Sequence, residues 1–135
     1  MLQDKIAEII ANLDNTIELS IAESTIEIYS KMQERIFNRG LAKDETKIGT
    51  YAESTLKRKK RKGKKDSSFV NLTDTTSLRK SIKPRENKIE FSNDYGKKVS
   101  GYNEENFGKR IFAPTNDEKQ IFINNLEDKI NELWK

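Results

Sequence analysis

The 135-residue sequence predicts an α+β domain, and three observations carry that prediction. Apolar residues recur at helical steps through the first 38 positions, and a capped amphipathic stretch closes the chain. Between them, short apolar runs are joined by connections too brief for repeated crossover helices, which favours a small antiparallel sheet. The length is that of one domain, so 1–135 is read as a single unit with a flexible basic loop at about 57–68. Leu, Ile, Val and Phe number 32, a larger share than disordered chains carry, so one modest core is expected.

The elements follow in order. Ile6, Ile10, Leu13, Ile17, Ile21, Ile28, Met32 and Ile36 form a helical stripe with a polar gap at Ser24 and Thr25. A single helix over residues 2–38 would be about 55 Å long. Asn15 and Glu18 have capping-box spacing, so two helices broken near Asp14 are the alternative. Arg39 suits the negative end of a helix dipole, and Gly40 can take the left-handed conformation that closes a helix. Residues 49–56 suit a short helix or a turn. Past the basic loop, Phe69, Val70 and Leu72 return to apolar character, and Thr75 or Thr76 would cap a short helix carrying Leu78 into Ser81 and Ile82, stopped by Pro84. Ile89 and Phe91 alternate with polar neighbours as a strand with one buried face, and Asn93-Asp94 supplies a turn. Further short strands are expected around Ile82 and Ile111. Pro114, then Thr115 and Glu118 at capping-box spacing, open a helix of about five turns along Phe122, Leu126, Ile130 and Leu133. Trp134, flanking that stripe, is expected to be buried, with an exposed anchor as the alternative. Both terminal helices are expected to cover the sheet.

Composition narrows the chemistry. With no cysteine and no histidine, the chain has no disulfides, no thiolate nucleophile and no imidazole base or ligand. No metal or cofactor is expected, nor an enzyme. Asp4, Lys5 and Glu8 interrupt the start, unlike a signal peptide, and no run approaches the 18 apolar residues of a membrane span. A chain that is soluble and intracellular at synthesis is expected. The net charge of +4 is concentrated: Lys57, Arg58, Lys59, Lys60, Arg61, Lys62, Lys64 and Lys65 lie within nine positions, and the rest of the chain is net −4. Such a run is a solvated loop or a contact for phosphates or an acidic partner. No aromatic interleaves it, so base stacking has no support, and DNA contact there would be sequence-blind. A nuclear localisation signal would look the same. Asp74 followed by Glu86-Asn87-Lys88 has the outline of a Mg²⁺-dependent nuclease site, but Glu-x-Lys arises readily where 36% of residues are charged. The six glycines are dispersed and form no phosphate loop.

Three segments, taken in order, resemble one family. The first is Arg35-Ile36-Phe37-Asn38-Arg39-Gly40, followed by Gly49-Thr50-Tyr51-Ala52-Glu53-Ser54-Thr55 and the basic stretch. The second is Leu72-Thr73-Asp74-Thr75-Thr76-Ser77-Leu78-Arg79-Lys80-Ser81-Ile82. The third runs from Tyr95-Gly96 through Phe107-Gly108 to Arg110-Ile111-Phe112-Ala113-Pro114 and leads into the capped helix. Together they resemble the virion-morphogenesis or tail-completion (head-tail joining) proteins of tailed bacteriophages, Mu-type members included. Thr76 stands where the family commonly has Gly, and Tyr51 where it commonly has Trp. The matched positions are Gly40, Gly49, Tyr51, Thr55, Leu72, Leu78, Ser81, Ile82, Gly108 and Pro114. The resemblance implies a structural protein of the virion, made in the host cytoplasm, that forms an oligomeric ring on assembly and meets connector and tail proteins. If the ring encloses DNA, the basic run would neutralise phosphates nonspecifically.

Overall fold

The structure, a computed structural model, describes residues 1–50, 70, 72, 77–85 and 87–134. Its architecture is α+β, with a long N-terminal helix, a C-terminal helix and a two-stranded antiparallel sheet. The basic run at 57–65, Tyr51, Thr55, Phe69, the caps at Thr75 or Thr76, and Asp74 and Glu86 lie outside the described residues.

Helix α1 (Leu2–Gln33) is one unbroken helix. The alternative break near Asp14 does not occur: both Asp14 and Asn15 are exposed in mid-helix, and neither glycine nor proline interrupts the turn. Once residues 16–33 are held by packing, extending the helix outward costs far less than nucleating a second one. At its inner end α1 widens into a π-helical turn (Glu34–Asn38), with Arg39 N–H donating to Glu34 O over 3.0 Å. The turn buries Arg35, Ile36 and Phe37 in succession, which a one-sided stripe would not do, because here the helix enters the core and is surrounded. Gly40 follows at φ 65°, in the expected left-handed conformation.

The short helix α2 (Ser77–Ser81) runs into β1 (Ile82–Arg85), which pairs with β2 (Lys88–Phe91). Pro84 lies inside β1, and the helix before it stops already at Ser81. Ser92 N–H donates to Ser81 O, so the hydrogen-bonded pairs fall on 83/90 and 85/88 and Pro84 takes a position that needs no ladder donor. A lone hairpin is marginal in water. This one is held by Ile82, buried in the core, with Ile89 and Phe91 packed against it.

No strand forms at Ile111, contrary to the sequence expectation. Its N–H is taken by Glu104 Oε2 at 2.7 Å and its carbonyl by Arg35 Nη1 at 3.1 Å, so side chains satisfy the backbone groups that a ladder would have used. Helix α3 (Asp94–Phe107) stands where the sequence predicts only a turn. Asn93 is its N-cap, accepting from Gly96 N–H at 2.8 Å, and Gly108 at φ 64° closes it. Its core-facing residues are few, Val99 and Phe107, which is why no apolar period announces it.

Helix α4 (Asn116–Leu133) begins at Thr115 with the predicted capping box. It lies antiparallel along α1: Asn125 Nδ2 donates to Ser24 Oγ at 3.0 Å, and Lys129 pairs with Glu23 at 3.1 Å. The polar gap in the α1 stripe is thus the site of close helix approach, where small Ser20 and Ser24 are fully buried. Ser20 Oγ has no hydrogen-bond partner there, at a cost of about 1–3 kcal/mol. Of the two terminal helices, α1 reaches the sheet and α4 packs on α1. Trp134 is exposed, contrary to expectation, because among the described residues no third layer covers the outer end of this two-helix arm.

The core therefore sits at the inner end of the arm: Met32, Ile36, Phe37, Ala42, Ile48, Val70, Leu78, Ile82 and Ile111. Gly96 lets α3 close over it, since a Cβ there would meet the Ser81 hydroxyl and lie 2.7 Å from Ser81 Cβ. Gly96→Ala is expected to destabilise the protein by about 1–3 kcal/mol in denaturant unfolding, whereas Gly101→Ala, whose Cβ meets nothing within 4 Å, should not.

Candidate functional site

Arg35 ties the inner end of α1 to two other stretches of the chain, at 41 and at 111–118. The π-helical turn aims it inward, where its side chain is 4% exposed. Nε donates to Glu118 Oε2 at 2.9 Å, Nη1 to Leu41 O and Ile111 O at 3.1 Å each, and Nη2 to Ala113 O at 2.9 Å. A planar guanidinium can serve four acceptors at fixed angles, which a lysine ammonium cannot. Glu118 acts twice, because its other oxygen accepts from Thr115 N–H at 3.0 Å and completes the capping box. The cap of α4 and the end of α1 are thereby one polar unit.

The segment after Gly40 folds back on this unit. Leu41 bridges Lys47, and Lys43 N–H donates to Arg110 O at 2.8 Å. Lys109 Nζ closes the turn through Thr46 Oγ1 and Lys47 O. The hydroxyl of Thr46, and then its backbone N–H, hold the Asp44 carboxyl below its ordinary pKa. Beside this turn lies an open cleft of about 410 Å³ formed by Lys43, Asp44, Gly108, Lys109, Arg110 and Asn116. A second cleft, of about 490 Å³, has Arg79 on its wall, held over the Phe37 ring at 5.8 Å and bonded to Gln33 Oε1 and Asn38 Oδ1.

Of the positions carrying the family resemblance, Gly40, Leu78, Ser81 and Ile82 are buried around the core. Ser81 Oγ donates to Leu78 O at 2.6 Å. Gly49 meets the Phe107 ring, where a Cβ would lie 2.7 Å from Cδ1. Leu72 is half-buried at φ 55°, Gly108 is the cap of α3, and Pro114 precedes the cap of α4. These described positions shape backbone and packing. The eight basic residues from Lys57 to Lys65, with Tyr51 and Thr55, fall outside the described residues. Of the nuclease outline only Asn87 and Lys88 are described, both exposed, with the Lys88 amine 4.0 Å from Glu90. Among the described residues, no three carboxylates gather as metal ligands. No described helix is long and apolar enough to cross a membrane.

Sequence reasoning did not single out Arg35 or the second role of Glu118. The Thr115/Glu118 spacing reveals the cap, but nothing local reveals that an arginine between Met32 and Ile36 is buried, since three of its four partners lie 76–83 positions away. Comparison of the chain with models of protein families, with curated proteins and with solved structures gives no match.

Removing one partner of a buried ion pair costs about 3–5 kcal/mol, because the other charge stays buried and unpaired. Glu118→Ala is expected to fall in that range by chemical denaturation, and Glu118→Gln, which keeps the cap geometry, should lose less. Arg35→Lys should be nearly as damaging as Arg35→Ala, since a point charge cannot span Leu41 O and Ala113 O together.

Proposed function

We propose that the chain is a structural, non-enzymatic protein of tailed-phage assembly that completes the tail or joins it to the head, as an oligomeric component of the neck or upper tail. The observation that carries this reading is the interlocking of the three resembling segments. Arg35, in the first, binds the carbonyls of Ile111 and Ala113 in the third, as many as 78 positions away. Arg79, in the second, lies on Phe37 and bonds Asn38 in the first. Segments that resemble a family in order and also pack as one unit support this reading better than scattered motifs would.

The mechanism is the meeting of surfaces. Helix α1 carries six carboxylates against two lysines and α4 five against two, so the two-helix arm is strongly acidic while the 57–65 run carries eight positive charges. Opposite charges in separate stretches of one sequence favour oriented contact with neighbours, including further copies in a ring, and with connector and tail proteins. The site of action is the virion, reached from the host cytoplasm during assembly. A stop codon at Gln3 in the phage or prophage gene tests this: negative-stain images of the lysate should show filled heads beside separate or malformed tails. Normal infectious particles would overturn the reading.

The basic run also favours a second reading, a nucleic-acid-binding accessory protein. In that case a gel-shift series should lose on the order of a thousandfold in DNA affinity from 50 to 200 mM salt. Neutralising all eight basic residues should abolish the shift, and unchanged affinity would remove phosphate contact from either reading.

A further inference from the structure

The face of α1 that receives α4 continues past the place where α4 stops. The pairs Arg35/Glu118, Ser24/Asn125 and Glu23/Lys129 set an antiparallel register that brings Leu133 level with residues 16–20 of α1. From there outward α1 runs on for roughly 20 Å. Thr16, Ser20 and Ser24, buried under or beside α4, share one side of the helix with Leu2, Ile6, Ile9, Ile10 and Leu13, spaced at steps of three and four. Where α4 covers this side it is small and polar. Where α4 is missing it is large and apolar, with Leu2 67%, Ile6 40% and Ile10 66% exposed.

We infer that residues 2–15 of α1 are the contact surface for a second copy of this chain, packed antiparallel about a two-fold axis between Glu8 and Ile9. The direction fits. An antiparallel α1 from the second copy would run the same way as α4, begin where α4 ends, and continue its line along the same face. Exposed Trp134, at that junction, would then meet the first turn of the incoming helix. The charges fit as well. Asp4 and Glu8 point away from the stripe, and in this register the flank of Lys5 faces Asn12 of the second copy while Gln3 faces its Asp14, so no like charges oppose. Covering Leu2, Ile6, Ile9, Ile10, Leu13 and Trp134 on both copies buries on the order of 1,000 Å², the lower bound for a specific association. The stripe is also wider than a two-stranded seam needs, as suits a helix that shares its partner face with α4.

This pairing does not depend on a virion role, and its test is separate. Sedimentation velocity on the full chain, from about 1 to 200 µM, should show the mass rising from 15.7 kDa to twice that value. The double variant Ile6→Glu/Ile10→Glu should weaken self-association about hundredfold or more, while its unfolding midpoint, compared at a concentration where both proteins are monomeric, stays within error because those residues lie outside the core. Since the chain has no cysteine, single introductions report the direction. Ile9→Cys, near the axis, should cross-link on mild oxidation, and Leu2→Cys should not. A wild-type chain that stays monomeric throughout, a dimer unaffected by the double variant, a four-copy species, or Leu2→Cys cross-linking in preference to Ile9→Cys would each overturn the proposal.

Discussion

Burying a guanidinium is the constraint around which this protein is built. A charge taken out of water is tolerated only when it is paired and its donors are satisfied. Arg35 meets both conditions by drawing in one carboxylate and three carbonyls from the 41 and 111–118 stretches. The rest follows from that demand. The end of α1 has to widen to aim Arg35 inward, Ile111 has to give its carbonyl to a side chain instead of a sheet, and α4 has to start where Glu118 can reach both its cap and the ion pair. The apolar core packs immediately beside this unit, so hydrophobic burial and polar satisfaction reinforce the same chain path.

The sequence was legible where structure is local. Thr115 and Glu118 announce the start of α4 because a capping box needs only four consecutive residues, and Gly40 announces the end of the first helical region because a left-handed residue favours glycine. Strand β2 could be read from the alternation of Ile89 and Phe91. Helix α3 could not: with Gly96 and Gly101 inside it and few core-facing side chains, its stability comes from tertiary packing and from its two end caps. The long α1 was visible as a stripe, but whether it broke at Asp14 depended on what lay beside Ser20 and Ser24, which is information held in α4. Trp134 was misjudged for a related reason, since an apolar period does not say how many layers will cover it. The candidate basic contact is a feature of composition alone, whereas the Arg35 unit depends on three contacts that each span more than 75 positions.

Charge and packing divide the molecule differently. The apolar core gathers at one end, whereas the acidic groups are spread along α1 and α4, where they keep a thin two-helix arm solvated. An arm of this kind adds little to the stability of the subunit that carries it. It places exposed surface well apart from the core that holds the fold together.

The arm also acts mechanically as a lever. Both of its helices are fastened at the same end, α1 by its π-helical turn and α4 by Glu118, so a rotation at this fulcrum is magnified along the free length. Over the roughly 48 Å of a 32-residue helix, a tilt of about 5° moves the tip by about 4 Å. Such a tilt would have to be taken up by Ile28, Tyr29 and Met32, which pack in or against the core, so the position of the tip and the packing of the core are coupled.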